Sequence, residues 1–312
     1  CHSRGTVFYY VSFYWCVFMD DVSPGKRAAL MFPTPIQKKP HAIQAAYKFI
    51  VPVVLILWLL PLISVAVFSI KPSADFTNGN YWGMPGSFEF IENYGKVFYA
   101  SDMPRYLLNS FLVTIPTVIG AVALSCMTGF ALGVYHFKGN LLIFFMFIAG
   151  NFVPFQILLV PVRDLSIDMG LYNTKTGLVL FHIAFQTGFC TLFMRNFIKA
   201  LPFELIEVAR VEGVAEWRIF WFVVLPLMRP AIAALSVLIF TFIWNDYFWA
   251  VVLTQGVEHA PVTAGITSFN GQYRAAYNMM SAGAIVAALP PVLMFFMMQK
   301  HFVAGLTLGA VK

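Results

Sequence analysis

Long apolar segments recur along this chain and constrain its fold more strongly than any other feature. Six of them have the length of about 20 residues that a helix needs to cross the hydrocarbon core of a bilayer: residues 49–70, 107–134, 141–162, 177–197, 231–254 and 282–302. Charged residues make up only 11% of the 312 residues, against about 25% in a typical soluble domain. The sequence therefore predicts an all-α integral membrane protein with six transmembrane helices.

Two of the predicted spans carry internal signals. Pro154 and Pro161 should interrupt the third span, because proline has no N–H to donate within a helix. The second span places small residues at every fourth position, a spacing that lets two helices pack closely; these are Thr117, Ala121, Ser125, Gly129 and Gly133. Chance placement in an alanine-rich helix is the alternative interpretation of this stripe.

Residues 1–44 are interpreted as a basic, disordered tail, and residues 45–312 as one membrane domain. The apolar run at 7–19 is too short to span a bilayer, and Cys1 stands where an initiator methionine would. We therefore interpret the beginning as upstream sequence, with the native start at Met19 or Met31, so that residues 1–30 need not be native; a truncated span or signal core is the alternative. The four cysteines show no paired spacing and no phosphate-binding glycine motif occurs, so the sequence predicts neither a disulfide framework nor a zinc or ATP site.

The distribution of lysine and arginine predicts the orientation of the spans. If the loop at 201–226 lies inside the cell, 14 of the 20 basic residues lie inside and 6 lie outside. An excess of cations inside is the arrangement that membrane proteins favour. Six spans with both termini in the cytoplasm follow, and the net charge of +6 then needs no nucleic-acid partner.

The loop at 201–226 carries closely spaced charges between two apolar segments. Pro202 suits the first position of a helix, and Glu204 and Glu207 follow near the positive end of its dipole. This helix should stop at Gly213, because glycine readily adopts the left-handed backbone that ends many helices. The sequence thus predicts a helix over the first half of the loop.

A second helix should begin near Ala215 and end at Pro226, so that two short helices hinged at a glycine project into water. The loop also matches the pattern E-x-A-x(3)-G-x(9)-[IV]-x-L-P, through Glu207, Ala209, Gly213, Val223, Leu225 and Pro226. This pattern resembles the EAA coupling loop of bacterial ABC importer permeases. Val208 and Glu212 depart mildly from it, since alanine and aspartate are usual there. The alternative is a surface-lying amphipathic helix without a partner.

Further motifs extend the resemblance over residues 45–312. They are similar to motifs of the smaller permease subunit of maltose-type carbohydrate importers: Leu108-Asn109-Ser110, Phe152-Val153-Pro154, Trp244-Asn245-Asp246, the stretch FNGQY at 269–273 and the ending FVAGLTLGAVK at 302–312. The resemblance implies half of a pathway for a sugar or oligosaccharide in the bacterial cytoplasmic (inner) membrane. It also implies a paralogous second permease, two ATPase subunits that bind ATP and magnesium, and an extracytoplasmic solute-binding protein. This chain itself would bind no cofactor or metal and would not be an enzyme.

The resemblance further assigns residues that couple the loop to the ATPase. They are Glu204, Glu207, Ala209, Arg210, Gly213, Leu225 and Pro226. Glu207 would pair at the ATPase cleft, Ala209 would permit close approach, and Gly213 would set the angle between the two helices.

Polar and aromatic residues inside the predicted spans are candidates for the substrate pathway, because polar groups within a membrane are costly and mark function. They are Asn151, Gln156, Gln186, Trp244, Asn245, Asp246 and Tyr247. Asp246, near the middle of the predicted fifth span, could instead belong to a structural polar pair. For His182, an interhelical hydrogen bond is the preferred interpretation.

Rival functions remain open at this point. A permease for a polyol or glycerol phosphate belongs to the same class, although a phosphate ester would favour cations inside the spans, where the sequence places none. An ATP-independent secondary carrier would need several deep ionisable groups or an internal repeat. A membrane-embedded enzyme would need an acid–base or metal constellation, which the scattered histidines and aspartates do not provide.

Overall fold

The computed structural model describes residues 39–269 and 276–308, which form helices and connections without a β-strand. The α-helices of these ranges are α1 (His41–Ile70), α2 (Ser73–Thr77), α3 (Phe90–Tyr99), α4 (Met103–Val134), α5 (Asn140–Ala149), α6 (Leu159–Asp168), α7 (Lys175–Lys199), α8 (Glu204–Val211), α9 (Glu216–Arg218), α10 (Leu225–Leu227), α11 (Arg229–Trp244), α12 (Phe248–Leu253), α13 (Gly256–His259), α14 (Val262–Gly265) and α15 (Tyr277–Leu308). A π-helical segment, Ile219–Val224, joins α9 to α10, and 3-10 turns occupy Gly150–Phe152, Phe155–Leu158 and Ile266–Phe269. Most of the predicted tail, most of the FNGQY stretch and the last four residues of the predicted ending lie outside the described residues.

Four helices are long and apolar enough to cross a membrane: α1, α4, α7 and the part of α15 up to Met298. Two bent helix pairs have the same length and apolar character. They are Asn140–Phe152 with Phe155–Asp168, bent by 87°, and Glu216–Leu227 with Arg229–Trp244, bent by 73°. Counting each bent pair as one span gives six spans in the described part of the chain, in agreement with the predicted fold class. The first helix of the second pair belongs to the loop at 201–226, and only its second helix, Arg229–Trp244, falls in the predicted fifth span.

The chain divides into two compact units, residues 1–63 and residues 64–312. In the first unit, the described residues are mostly those of α1, which begins at His41 and continues through Pro52 and Pro61. Membrane helices tolerate internal prolines better than soluble helices do. Helix α1 begins at His41, before the predicted start of the first span at residue 49. The predicted domain boundary at residue 44 stays a prediction.

The third predicted span is broken at one proline and not at the other. Val153 has an extended backbone, with φ −72° and ψ 122°, because the ring of Pro154 disfavours helical geometry in the residue before it. The prediction for Pro161 is wrong: it lies in the first turn of α6, where a missing N–H leaves no helical hydrogen bond unmade. The fifth predicted span is also divided, since α11 ends at Trp244 and α12 starts at Phe248.

Helices α4 and α7 pack against each other along the predicted stripe of small residues. Thr117, Ala121 and Ser125 are fully buried, and a Cβ atom added to Gly129 would lie 2.9 Å from the Cβ of Met194. That separation is too short for two carbon atoms, so Gly129 allows the helix backbones to approach more closely than alanine would. The stripe is therefore a helix-packing surface, as predicted.

A buried lysine organises the segment between α2 and α3. Lys71 is fully buried, and its Nζ donates to the carbonyl oxygens of Asn80, Tyr81 and Gly83 at 2.9, 3.0 and 2.8 Å. These acceptors use all three ammonium protons and offset the cost of removing the charge from water. From the sequence, Lys71 is only one of the outside cations, because the carbonyls that surround it are not a sequence signal.

Replacing Lys71 with methionine should loosen this segment, since the side chain keeps its length while three carbonyls lose their shared donor. Each hydrogen bond to a charged group contributes about 1.5–3 kcal/mol, and part of the loss of three is offset because the variant no longer buries a charge. We therefore expect the segment to lose about 3–5 kcal/mol of local stability. The measurement is the rate of chymotrypsin cleavage at Tyr81 and Trp82. Lys96→Met is the matched control, because exposed Lys96 makes one pair with Glu92 along the surface of α3, worth about 0.3–0.5 kcal/mol. Equal cleavage rates in the two variants would contradict this role of Lys71.

Candidate functional site

The loop at 201–226 begins with α8, which carries Glu204 and Glu207 in its first turn. Pro202 does not occupy the first helical position as predicted. It lies two residues before α8, and its carbonyl accepts a hydrogen bond from the N–H of Leu205. Both carboxylates remain near the positive end of the helix, where negative charge is favoured. Both are exposed, and neither has a side-chain hydrogen bond or ion pair within the described residues.

The predicted stop at Gly213 agrees with the structure. Gly213 has φ +72°, its N–H donates to the carbonyl of Arg210, and the N–H of Val214 donates to the carbonyl of Ala209, both at 3.0 Å. This pair of bonds is the Schellman motif, which satisfies the last free carbonyls of a helix. A Cβ on Gly213 would meet nothing within 4 Å. Backbone conformation, and not space, is therefore the reason for glycine at this position.

An ion pair fixes the second helix of the loop to the first. Arg210 donates from Nε and Nη2 to the two carboxylate oxygens of Glu216 at 2.6 and 3.2 Å. The hydroxyl of Tyr135, just after α4, donates to the same carboxylate at 2.8 Å. Hydrogen bonds from Arg210 and Tyr135 lower the pKa of the Glu216 carboxyl, so the pair is ionised at neutral pH. Arg210, predicted as an ATPase-coupling residue, is thus already paired within this chain.

The inner side of the loop belongs to the main apolar core. Ile206 is the only buried residue of α8, and it belongs to the same buried cluster as Ile219 and Val224 of the second helix. Ala209 and Leu225 are partly buried and pack against this cluster. The side chain of Ala209 thus contacts the core of its own chain, and its predicted role in close approach of a partner stays a prediction.

The second helix of the loop does not end at Pro226 as predicted. Pro226 is half-buried and lies inside α10, which follows directly on the π-helical segment Ile219–Val224. Pro226 thus lies near the C-terminal end of a continuous helical stretch, Glu216–Leu227, where the different hydrogen-bond pattern of the π-helical segment precedes it. The chain turns at Met228, where the 73° bend leads into α11.

The outer side of α8 combines carboxylates with exposed apolar side chains. Leu205, Val208 and Val211, three residues apart, are exposed by 45%, 62% and 86%. Together with Glu204 and Glu207 they form what we call the docking face. Sequence reasoning selected the carboxylates and missed the apolar residues, although their spacing by three was readable. An exposed apolar stripe with charges at its rim is typical of a helix that enters a groove on another protein.

Trp244 is not available to a solute, contrary to its prediction as a pathway residue. It is 1% exposed, its ring stacks on Phe240 with centroids 5.5 Å apart, and its Nε1 donates to the carbonyl of Ala287 at 2.9 Å. The indole thus joins α11 to α15. Aromatic side chains with a polar group are often buried where that group finds a partner.

Asp246 lies in the break between α11 and α12, not inside a continuous helix. Its carboxylate accepts hydrogen bonds from the N–H groups of Trp249 and Ala250 at 3.4 and 3.0 Å, so it caps the start of α12. Nε2 of buried His182 lies 3.5 Å from Oδ2 of Asp246. His182 thus contacts the connection between α11 and α12, and its predicted interhelical hydrogen bond stays a prediction. The contacts of Asp246 are those of a structural polar pair, and its predicted place on the pathway is not tested by them.

Replacing Asp246 with alanine should destabilise the protein by about 1–2 kcal/mol, the cost of losing a helix cap. Asp246→Asn keeps an oxygen that can accept the same bonds, so we expect a smaller loss and an unchanged KM for uptake. The two measurements are thermal unfolding of the purified protein and uptake kinetics. A raised KM with unchanged stability in Asp246→Asn would instead place the carboxylate on the pathway.

The two helix breaks lie next to each other. Phe155, just after the break in the third span, and Phe248, just after Asp246, have ring centroids 5.0 Å apart. Asn151 contacts Gly188 of α7, since a Cβ there would lie 2.7 Å from Asn151 Nδ2. The remaining predicted pathway residues are exposed or half-buried: Asn151, Gln156, Asn245 and Tyr247 flank these breaks along the chain, and Gln186 lies within α7. Discontinuous helices that expose backbone and polar groups are typical of solute sites in transporters.

The protein has six helical spans, helix breaks inside the spans and a loop hinged at a glycine. This combination is typical of the membrane subunit of a solute importer. Residues 106–307 match the family described as binding-protein-dependent transport system inner membrane component, and the chain belongs to this family. It is therefore a multi-pass permease of the inner membrane. This membership favours an importer subunit over the self-contained secondary carrier.

Individual relatives agree with the family match. The chain is 32% identical over 262 residues to the osmoprotective compounds uptake permease protein GgtD of Synechocystis sp., which covers 82% of this chain and 88% of that protein. It is 31% identical over 254 residues to the arabinooligosaccharides transport system permease protein AraQ of Halalkalibacterium halodurans, covering 81% and 90%. A solved bacterial ABC transporter involved in the import of the acidic polysaccharide alginate has a TM-score of 0.73 and 21% identity, covering 86% of this chain and 100% of that one. This last likeness supports the fold.

Proposed function

We propose that this chain is the permease subunit of an ATP-driven importer for a sugar or oligosaccharide, and that its loop at 201–226 docks on a separate ATPase. The observation that carries the proposal is the docking face, which is exposed on a helix anchored to the core by Ile206. ATP and magnesium bind to the ATPase partner in this scheme. The permease contributes half of the pathway and converts movement of the ATPase into movement of its spans.

The proposed coupling depends on a stiff loop. Glu204 and Glu207 contact the ATPase cleft, and the apolar side chains of the docking face fill its groove. The Arg210–Glu216 pair keeps the two helices of the loop at a fixed angle, which Gly213 makes possible. A push on α8 then reaches α11 through the bend at Met228, and Ala209, Leu225 and Pro226 serve as the packing behind the docking face.

The family description, a binding-protein-dependent transport system, supports the binding protein of the proposed assembly. It contains a second, paralogous permease, two ATPase subunits and an extracytoplasmic solute-binding protein within the membrane lipid. Both termini and the loop at 201–226 lie in the cytoplasm, as the excess of lysine and arginine predicts.

The proposed solute is a neutral carbohydrate. Apart from partly exposed Asp246, whose carboxylate caps α12, the predicted pathway residues exposed at the helix breaks are uncharged, and they combine hydrogen-bonding amides with the half-exposed ring of Tyr247. Amides and aromatic faces suit a sugar, whereas a phosphate ester would need cations. Among the relatives, AraQ is named for arabinooligosaccharides and GgtD for osmoprotective compounds, so a polyol-like osmolyte is the second candidate.

The test is to tag the chain, purify it in mild detergent from its native membrane and identify the proteins that accompany it. We expect an ATPase and a second permease, and ATP-dependent uptake of a neutral oligosaccharide after reconstitution with the binding protein. Polyols and glycerol phosphate are measured in parallel. Purification without an ATPase, or uptake that ignores ATP, would overturn the coupling proposal, and preference for a polyol would overturn the carbohydrate assignment alone.

A further inference from the structure

A cavity of about 550 Å³ lies between the ends of α4 and α7 and the start of α5. Its lining includes four basic side chains: His136, Lys138, Arg195 and Lys199. No aspartate or glutamate lines it, and in the described part of the chain no carboxylate lies within 4.0 Å of these four groups. The cavity is thus a concentration of positive charge without an internal counterion.

Arg195 is held in position at the base of this cavity. It is 8% exposed, its Nε donates to the carbonyl of Leu132 at 3.0 Å, and its guanidinium lies 3.8 Å from the ring centroid of Phe144. Within the described residues this is the one hydrogen bond of the guanidinium, so its terminal nitrogens keep their donors. A guanidinium that is already held in position loses little side-chain entropy when it binds a phosphate or a carboxylate.

The positive-inside rule alone accounts for dispersed cations at the ends of spans. It does not account for a buried arginine that converges with two lysines on one cavity. Lys138, in the turn after α4, and Lys199, at the end of α7, are both exposed, and both line the cavity whose inner donor is Arg195. The arrangement around Arg195 therefore indicates an anionic ligand.

The apolar surface below the cavity identifies the kind of anion. Leu141 and Leu142 line the cavity, and with Phe145 and Met146 they form one exposed face of α5, each exposed by more than half of its surface. This face leads from the cations along the helix, in the direction in which acyl chains extend from a headgroup. A free phosphate would use the cations and leave this face unoccupied.

We propose that this cavity binds the phosphate headgroup of an anionic phospholipid of the cytoplasmic leaflet, with Arg195, Lys138 and Lys199 as donors. Basic pockets between membrane helices on the cytoplasmic side bind such headgroups in other proteins. The inference rests on the orientation given under the proposed function, because the cavity lies at the same end of the spans as the loop at 201–226. The lipid would join α4, α5 and α7 next to that loop.

The experiment is native mass spectrometry of the purified transporter after incorporation into phosphatidylcholine nanodiscs with a minority of phosphatidylglycerol. We compare the wild type with the double variant Lys138→Gln/Lys199→Gln, which leaves buried Arg195 intact. Each removed cation should weaken lipid retention about fivefold, the equivalent of about 1 kcal/mol per cation. The double variant should therefore retain about 25-fold less phosphatidylglycerol.

Lys48→Gln/Arg218→Gln is the matched control, since it removes two exposed cations outside the cavity and should retain lipid as the wild type does. Equal retention in both double variants, or no retained phosphatidylglycerol in the wild type, would overturn the proposal. Cavity-dependent binding of inorganic phosphate in nanodiscs of phosphatidylcholine alone would also overturn it, in favour of a free-anion site. Copurification of the ATPase, read in the same samples, tests the proposed function separately from lipid binding.

Discussion

Replacing Gly213 with proline should reduce ATP-dependent uptake by about 100-fold while the chain still inserts into the membrane. The proline ring fixes φ near −65° and so excludes the +72° of Gly213. It also removes the N–H that donates to the carbonyl of Arg210. The proline should raise the free energy of the native turn by about 3 kcal/mol relative to other conformations of the loop. About one molecule in a hundred then has the loop geometry that couples to the ATPase. Uptake into proteoliposomes and recovery of the ATPase with the tagged permease are the measurements.

Gly213→Asn is the matched control for this prediction. Asparagine adopts left-handed backbone more readily than other residues with a side chain, and the space around Gly213 is open. We expect uptake within a few-fold of the wild type. If the asparagine variant lost transport as completely as the proline variant, the loss would come from a contact at this position, and the hinge interpretation would be wrong.

Reversing the charge of Glu207 should release the ATPase from the transporter. Glu207 is exposed near the start of α8 and beside the apolar side chains of the docking face. The ATPase is expected to present a positive charge opposite Glu207. An arginine at this position would bring two positive charges together, and like charges in contact at an interface cost several kcal/mol. We expect affinity for the ATPase to fall by about 100-fold or more. Glu207→Gln, which only removes the charge, should show a smaller loss.

The measurement is the ATPase recovered per tagged permease, followed by transport with added ATPase in excess. Asp168→Arg serves as the control, because it reverses an exposed carboxylate at the end of α6, outside the proposed coupling and pathway sets. Normal recovery of the ATPase with Glu207→Arg, or an equal loss with Asp168→Arg, would count against the docking face.

Much of the architecture could be predicted from the sequence, because the membrane restricts the possible folds. Hydropathy located the six spans, and the stripe through Gly129 located a close contact between α4 and α7. The stop at Gly213 was also predictable, since glycine followed by a new polar helix start is a local signal. Boundaries were less predictable: Pro161 and Pro226 lie within helices because their effect depends on position in the turn and on the backbone around them.

Pairings between distant residues could not be predicted from a single sequence. Glu216 and Tyr135 are 81 positions apart, and neither residue carries a pattern that names its partner. Trp244 illustrates the same difficulty, because an indole suits both a sugar site and a buried helix contact. The carbonyl of Ala287 decides between these roles, and only the fold places it there.

The close contact of α4 and α7 at Gly129 has a mechanical consequence. In most helix pairs, side chains lie between the two backbones. When one helix is displaced, these side chains change rotamer and absorb part of the movement. Here backbone lies almost against backbone, so this compliance is small. At the far end of the pair, Lys175 Nζ donates to Asn109 Oδ1 of α4 at 3.0 Å, which closes the pair there too. A displacement applied to α7 beside Lys199 is therefore expected to carry α4 with it, because the two helices are held together at both places.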